Sequence, residues 1–216
     1  MTEHRSILLP TELWRAPLRT LRPQDLANVY AQPRPEIARL VDRGALHRVA
    51  HGYYVIVPPD HIGRPWLPGL EAVAAGIASS IYGPDHAVLM GISAARVLGA
   101  LPRALATAIV AVPRQHRPIT LTDRAAQVRF VRRDTDALDA ERAETPLGPV
   151  LVTTPEQTVL DLARRPELGN AEGEVLPAIK TLYRRSDPAR LEQLAGNQHR
   201  LAKLREVESW VGNEER

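Results

Sequence analysis

Two aspartates in the middle of the sequence are the first candidates for chemistry. Asp134 and Asp136 form a D-x-D pair, which could bind Mg²⁺ in a nucleotidyltransferase. Such a site also needs a phosphate-binding Gly-Ser element just upstream and a third carboxylate on a neighbouring strand. Gly91 and Ser93 lie far upstream in a different context. We therefore interpret the pair as part of a solvated loop.

The remaining acids and histidines form no recognised catalytic pattern. A nuclease core of the Asp…Glu-x-Lys type needs an acid two residues before a lysine, and neither Lys180 nor Lys203 has one there. His47 and His51 would need two more ligands to hold zinc, and the chain has no cysteine to supply them. Asp161 is interpreted as a structural hydrogen-bonding residue. The sequence therefore predicts no catalytic residue, no metal and no cofactor, and a protein that is not an enzyme.

The stretch from Pro33 to Val57 carries basic side chains in a pattern typical of DNA contact. Apolar residues share one helical face, namely Ile37, Leu40 and Val41. The opposite face is charged, with Arg39, Asp42 and Arg43. After Gly44, two β-prone runs turn at His51-Gly52, namely Leu46–Val49 and Tyr53–Val57. An arginine-bearing helix followed by a hairpin favours a winged helix-turn-helix, in which the helix enters the major groove. The alternative is a small α+β unit with a charged face.

The residues before this stretch complete the predicted motif. Residues 11–20 predict a weak first helix that is cut by Pro17. Arg22–Ala27 predicts a second short helix with Pro23 in its first turn, where the missing N–H costs nothing. A short turn then leads into the arginine-bearing helix, which is the spacing that a helix-turn-helix requires.

We predict that six side chains contact DNA, namely Arg22, Arg34, Arg39, Arg43, Arg48 and His51. Arg39 and Arg43 point outward on the predicted recognition helix, and Arg34 stands at its N-terminus, the end that usually enters the groove. The two hairpin residues would reach phosphate or the minor groove. Arg22 opens the second helix, a common position for phosphate contact. Tyr54 is assigned to the hydrophobic core instead.

A proline-rich break divides the sequence. Four of the eleven residues in Pro58–Pro68 are proline, and this segment has no helical periodicity. We predict a DNA-binding domain at residues 1–60, a linker at residues 61–68 and a second domain at residues 69–216.

The second domain alternates strand and helix patterns. The predicted strands are Thr107–Val112, Gln127–Arg132 and Val150–Thr153. The predicted helices are residues 70–81, Ala94–Leu98, Glu156–Arg164, Glu174–Arg185, Pro188–Ala195 and Gln198–Val211. The segment Asp134–Thr145 is expected to be a solvated loop or an edge. Thr154 caps the helix that follows it, because Gln157 stands at the third position.

Charge and composition are compatible with DNA binding but do not decide it. The chain has 28 basic and 25 acidic residues, and only two of the basic residues are lysine. Arginine binds phosphate and guanine through two hydrogen bonds, although codon bias in a G+C-rich genome explains the same excess. The apolar runs Ile7–Leu9 and Ala72–Ile81 are too short for a signal peptide core and a membrane span. We therefore expect a cytoplasmic protein with no membrane partner.

Four segments resemble the AbiEi-type antitoxins of abortive-infection (type IV) toxin–antitoxin systems. In the N-terminal half these are R-P-x-I-x-R-L-V-x-R-G at Arg34–Gly44 and R-V-x-x-G-x-Y at Arg48–Tyr54. In the C-terminal half these are G-I-S-A-A-R-V-L-G-A-L at Gly91–Leu101 and T-T-P-E-Q-T-V-L-D-L-A at Thr153–Ala163. The resemblance covers nearly the whole chain in the right order. One departure is Gln157, where an arginine is expected in this family.

The resemblance implies an α+β protein with a winged helix-turn-helix domain followed by a helix-rich α/β antitoxin domain with a small sheet. The first domain would bind inverted repeats in its own operator DNA and repress transcription. The second would counteract a co-encoded nucleotidyltransferase-like toxin or assist DNA binding. One alternative is a free-standing winged-helix regulator whose C-terminal domain binds a ligand or a protein. Another is an interaction protein with no DNA role.

Overall fold

The structure is a computed structural model that describes residues 9–212, so most of the run Ile7–Leu9 lies outside it. Its N-terminal part contains short helices and a small sheet. The helices are α1 (Thr11–Trp14), α2 (Pro23–Leu26) and α3 (Pro33–Asp42). The strands are β1 (Thr20–Leu21), β2 (Leu46–Ala50) and β3 (Tyr53–Ile56), and all pair antiparallel in the order β1-β3-β2.

The predicted helix over residues 11–20 is wrong in its extent. It ends at Trp14, and a 3₁₀ turn at Pro17–Arg19 leads directly into β1. Leu18 and Arg19 both have positive φ values, which an α-helix cannot contain. The other predicted elements of this part, a short second helix, an arginine-bearing third helix and a hairpin, are confirmed within one or two residues.

The hairpin and α3 enclose a small hydrophobic cluster. The buried residues Ile37 and Leu40 of α3 pack against Leu46 and Ile56 of the hairpin. Tyr54 lies beside this cluster but is only partly buried, so its assignment to the core holds in part. Gly52 has a φ of +80° in the hairpin turn, a conformation that glycine adopts without strain.

The C-terminal part is a mixed sheet with helices on both faces. Its helices are α4 (Leu70–Tyr82), α5 (Gly91–Val97), α6 (Pro155–Arg164), α7 (Glu172–Tyr183), α8 (Pro188–Asn197) and α9 (Leu201–Gly212). Its strands are β4 (Val88–Leu89), β5 (Thr107–Val112), β6 (Ile119–Thr120), β7 (Gln127–Arg132), β8 (Ala140–Ala143) and β9 (Val150–Thr153). The three predicted strands are confirmed with the same bounds, and the segment expected to be a loop or an edge contains edge strand β8. Short 3₁₀ turns occur at Pro59–His61 and Pro84–His86.

The sheet runs in the order β6-β7-β5-β4-β9-β8. Strand β5 is parallel to β7, and β4 is parallel to β9, while the other neighbours are antiparallel. Alternate residues of β5 enter two different clusters, because successive side chains of a strand point to opposite faces. One cluster contains α4, and the other contains α6 to α9. No helix within residues 9–212 is long and apolar enough to cross a membrane.

The N-terminal and C-terminal parts share the hydrophobic cluster that contains α4. Val49 and Val55 of the hairpin are fully buried in it, and Leu18 is almost completely buried there. At the same contact, Thr20 lies directly over Gly76 of α4, where a Cβ atom would come within 2.1 Å of the Thr20 hydroxyl oxygen. The backbone of α4 therefore approaches β1 so closely that only glycine fits.

This close approach predicts that Gly76→Ala destabilises the fold. The added methyl group would collide with the buried Thr20 side chain, and overpacking of this kind costs about 1–3 kcal/mol. The measurement is the free energy of unfolding in urea. The control is Gly173→Ala in α7, where a Cβ atom would meet open space and no loss is expected. Equal stability of the Gly76→Ala protein and the wild type would show that α4 and β1 can separate.

Candidate nucleic-acid interface

Helix α3 and its C-cap carry three of the basic residues that the sequence predicts for DNA contact. Arg34, Arg39 and Arg43 are all exposed, whereas Ile37 and Leu40 face the hydrophobic cluster. Arg43 follows the last residue of the helix and acts as its C-cap. This placement agrees with the helical spacing that the sequence predicts.

Arg39 is already paired on its own helix. Its guanidinium donates two hydrogen bonds to the carboxylate of Glu36, one of them from Nε to Oε2 at 2.8 Å. The hydrogen bond from Arg39 holds the pKa of Glu36 below its usual range, and the pKa of Arg39 is raised in turn. Arg39 must therefore exchange this carboxylate for any phosphate or base that it contacts. Ion pairs on the surface contribute little to stability, so the exchange costs little.

The two hairpin candidates, Arg48 and His51, contact each other. Arg48 Nη2 lies 2.6 Å from His51 Nδ1, and both side chains are exposed. A guanidinium can only donate, so Nδ1 accepts this hydrogen bond and the imidazole proton lies on Nε2. The hairpin thus presents a guanidinium and an imidazole N–H side by side, and both are donors suited to phosphate oxygens.

Arg22 is the most enclosed of the six candidates. It is the N-cap of α2, and its backbone N–H donates to Asp25 Oδ2 at 2.7 Å. Its side chain, only 25% exposed, has Nε 3.8 Å from the same carboxylate oxygen. This position anchors the start of α2 and leaves Arg22 less available than the arginines of α3. DNA contact by the six residues stays a prediction.

His47, next to Arg48, has a role that the sequence did not indicate. Its Nε2 lies 2.8 Å from Asp123 Oδ2, a carboxylate that is 4% exposed and belongs to the C-terminal part. Sequence reasoning considered His47 only as a metal ligand. No local pattern could have found this pair, because the two residues are 76 positions apart.

A second polar centre lies on α6. Asp161 Oδ1 accepts hydrogen bonds from Arg133 Nη1 at 3.0 Å and from Gln157 Nε2 at 3.1 Å. Burial raises the pKa of the Asp161 carboxyl, although the charge of Arg133 acts in the opposite direction. The prediction that Asp161 is a structural hydrogen-bonding residue is confirmed.

Gln157, the departure from the family pattern, links this centre to α8. Its side chain is completely buried, and its Oε1 accepts a hydrogen bond from Gln198 Nε2 at 2.6 Å. A neutral amide both donates and accepts, so Gln157 satisfies two partners without adding a charge to the core. Its backbone N–H donates to Thr154 Oγ1 at 3.3 Å, which confirms Thr154 as the helix cap. The reciprocal bond of a capping box is not formed, because the Thr154 N–H donates to the carbonyl oxygen of Asp139 and the Gln157 side chain bonds Asp161 and Gln198.

The D-x-D pair lies on the surface after β7. Asp134 and Asp136 are both exposed, and Asp136 Oδ1 lies 3.4 Å from His86 Nδ1. The part of the chain that the structure describes contains no group of three or more histidines and acids that could hold a metal ion. The geometry therefore agrees with the interpretation of this segment as solvated.

The fold has a counterpart among solved structures. The crystal structure of the RV2827C protein from Mycobacterium tuberculosis matches with a TM-score of 0.55 and 19% sequence identity, covering 88% of this chain and 72% of that chain. At this identity the likeness shows the fold alone, and it places this chain in an α+β class of proteins. The curated proteins contain no match to this chain.

The family follows from a sequence model. The model of the AbiEi antitoxin C-terminal domain matches residues 86–207, which is more than half of the chain. The chain belongs to the AbiEi antitoxin family, which confirms the family that its motifs indicated; the matched residues contain the two C-terminal motifs, Gly91–Leu101 and Thr153–Ala163. This is a family of antitoxins rather than of enzymes, and it supports an antitoxin role for this chain.

The raised pKa of Asp161 predicts a pH-dependent effect of Asp161→Asn. The folded protein binds this proton more tightly than the unfolded chain does, so the contribution of Asp161 to stability is lost as pH rises through the raised pKa. The amide side chain of the variant does not titrate, so the variant does not lose stability in this way as pH rises. We expect the free energy of unfolding of the variant to increase relative to that of the wild type as pH rises above about 4, the range in which an unfolded aspartate loses its proton. Urea denaturation at a series of pH values from about 4 upward measures the effect.

The matched control for this prediction is Asp134→Asn, because that aspartate side chain is exposed. Its pH response should follow that of the wild type. A pH response of Asp161→Asn that also follows the wild type would contradict the prediction.

Proposed function

We propose that this chain is an antitoxin that binds its own operator DNA to repress transcription and counteracts a co-encoded nucleotidyltransferase-like toxin. The N-terminal part acts as a winged helix-turn-helix and recognises inverted repeats. The C-terminal part counteracts the toxin or assists DNA binding by the N-terminal part. The protein works in the cytoplasm without a cofactor.

The order and packing of the N-terminal elements support the DNA-binding half of the proposal. Helix α2 is followed by a short turn, by α3 and by the β2–β3 hairpin, which is the order of a winged helix-turn-helix. Ile37 and Leu40 hold the inner side of α3 against the hairpin, so the outer side is left to solvent. That outer side carries the exposed Arg39 and Arg43, and the exposed Arg34 lies in the first turn of the helix; these three exposed arginines carry this half of the proposal.

Each predicted contact has a chemical role in this proposal. Arg34, Arg39 and Arg43 read base edges or bind phosphates along the major groove, because arginine can donate two parallel hydrogen bonds to either. Arg48 and His51 donate to the phosphates beside the groove. Arg22 holds the first turn of α2 against the backbone of the DNA.

The toxin half of the proposal rests on the family. The matched residues 86–207 include both the mixed sheet and most of the helices that cover it. On the strength of this family match, we assign this part to binding a partner. The partner is the toxin encoded beside it.

The double variant Arg39→Ala with Arg43→Ala tests DNA binding. Loss of two arginine contacts should weaken operator binding by roughly a hundredfold. For each phosphate contact that is lost, the slope of log K against log salt should fall in magnitude by about 0.9. Gel shifts with the upstream region at several salt concentrations measure both quantities. Circular dichroism should report an unchanged fold, because both side chains are exposed.

The control variant is Arg103→Ala, which removes an exposed arginine of the C-terminal part. It should retain full operator affinity, since it lies outside the proposed interface. Full affinity of the folded Arg39→Ala, Arg43→Ala protein would refute the assignment of α3 as the recognition helix.

Co-expression with the neighbouring gene tests the antitoxin half. From an inducible promoter, the chain should restore growth to cells that express the toxin. The Arg39→Ala, Arg43→Ala variant should restore growth equally, because counteracting the toxin does not require operator binding under a foreign promoter. Colony counts measure rescue, and co-purification distinguishes direct from indirect action. Growth arrest that persists with normal amounts of folded chain would refute the antitoxin function.

A further inference from the structure

One loop of the C-terminal part forms backbone and side-chain hydrogen bonds with the hairpin of the N-terminal part. We call residues Leu121–Arg124, which lie between β6 and β7, the clamp segment. Leu121 forms an antiparallel bridge with Ala50 at the end of β2. The backbone N–H of Thr122 donates to the carbonyl oxygen of Val49 at 2.9 Å. The small N-terminal sheet thus continues into the clamp segment through backbone contacts.

The clamp segment acts at an irregular point of β2. The register of the hairpin shifts between Arg48 and Ala50, so Val49 lies at a β-bulge. A bulge leaves one residue without its regular partner in the ladder. The carbonyl of Val49 instead accepts its hydrogen bond from Thr122, and the Val49 side chain is fully buried. The clamp segment thereby stabilises the bulge.

Asp123 provides the side-chain contact between the clamp segment and the hairpin. Its carboxylate is 4% exposed and accepts hydrogen bonds from His47 Nε2 at 2.8 Å and from Arg124 Nη2 at 2.9 Å. Burial by itself raises the pKa of Asp123, but the hydrogen bonds and charges of Arg124 and His47 outweigh it, so the pKa is lowered. Asp123 is therefore a carboxylate at neutral pH. The edge of the Trp66 ring system also lies against His47, with the ring centroids 5.9 Å apart and the planes at 83°.

The contacts with the clamp segment lie on both sides of Arg48, one of the residues predicted to contact DNA. The two neighbours of Arg48 are both held by the clamp segment, His47 through its side chain and Val49 through its carbonyl. Successive side chains of a strand point to opposite faces, so fixing His47 toward Asp123 directs Arg48 to the other side. Arg48 is exposed there and contacts His51.

We infer that Asp123 is a positioning residue for DNA binding, which directs Arg48 through His47 and the strand between them. The inference rests on the proposed function. The C-terminal part thus contributes to operator affinity through the clamp segment without contact between Asp123 and DNA. It also follows that the N-terminal part alone binds DNA more weakly than the full chain.

A double-mutant cycle in the full chain tests this inference. Asp123→Ala should reduce operator affinity about tenfold, which is the order expected for losing one well-placed arginine contact. In an Arg48→Ala background the same substitution should have no further effect, because the residue that it positions is absent. In an Arg43→Ala background the two losses should multiply. A general loss of stability would act equally in both backgrounds.

Two further variants serve as controls for this cycle. Asp123→Asn keeps an oxygen that can accept from His47 and should retain most of the affinity. Asp85→Ala removes an exposed carboxylate that pairs with Arg142 far from the hairpin in sequence, and it should leave affinity unchanged. An equal reduction by Asp123→Ala in the Arg48→Ala and Arg43→Ala backgrounds would overturn the inference, as would no reduction in either.

Amide hydrogen exchange examines the clamp segment without DNA. In the wild type, the Thr122 N–H should be protected by its bond to Val49, and Asp123→Ala should raise its exchange rate about tenfold or more. The amide of Val110 in the central sheet should be unaffected. An unchanged rate at Thr122 would overturn the clamp itself. Failure of the wild-type chain to bind its upstream DNA would instead overturn the proposed function and the positioning role that rests on it.

Discussion

The complete burial of strand β5 is the constraint on which the rest of the structure depends. All six residues of Thr107–Val112 are buried, and the five from Ala108 onward alternate between two hydrophobic clusters. A strand buried on both faces needs a cover on each side. The helices α6 to α9 cover one face, while α4 and the buried hairpin residues Val49 and Val55 cover the other. The hairpin is therefore part of the core of the molecule as well as part of its surface.

Two carboxylates of the C-terminal part have little exposed surface and are accommodated in different ways. Asp123 and Asp161 are each 4% exposed, yet their pKa values shift in opposite directions. Asp123 receives hydrogen bonds from two basic groups, His47 and Arg124, which together outweigh the desolvation of its charge. Asp161 accepts hydrogen bonds from Arg133 and Gln157, and these do not outweigh the desolvation of its charge. Asp161 is a buried residue, whereas Asp123 as a whole is only half-buried, so depth and basic partners together decide which form of each carboxyl is favoured.

Sequence patterns predicted most of the regular elements because those elements depend on local chemistry. The β-branched run at Thr107–Val112 and the capped helix start at Thr154 contain enough information within one segment to define strand and helix. Strand β4 was not among the predicted strands, because two residues are too few to show a period. The positive φ values at Leu18 and Arg19 depend on the tertiary contact of β1 with α4, which no local pattern contains.

In the candidate interface, too, the sequence predicted the features that depend on local spacing and missed those that depend on the folded chain. Exposure of Arg39 and Arg43 followed from helical spacing, and the pair of Arg39 with Glu36 was open to prediction, since residues three apart on a helix are neighbours. The contact between His47 and Asp123 could not be predicted from the sequence, because only the folded chain brings these distant segments together. Local patterns therefore identify which side chains face solvent, but not which of them are held in place.

Pairing between polar side chains gives the proposed interface a common physical character. Arg39 pairs with Glu36, and Arg48 pairs with His51, so each arginine is partly ordered before any DNA arrives. Ordering a long side chain costs entropy, and a pair formed in the free protein has already met part of that cost. The pairs themselves are exposed and therefore weak, so a phosphate can displace the partner. Binding at such a surface is an exchange of weak partners for strong ones, and its strength depends on how firmly the backbone beneath holds each arginine in position.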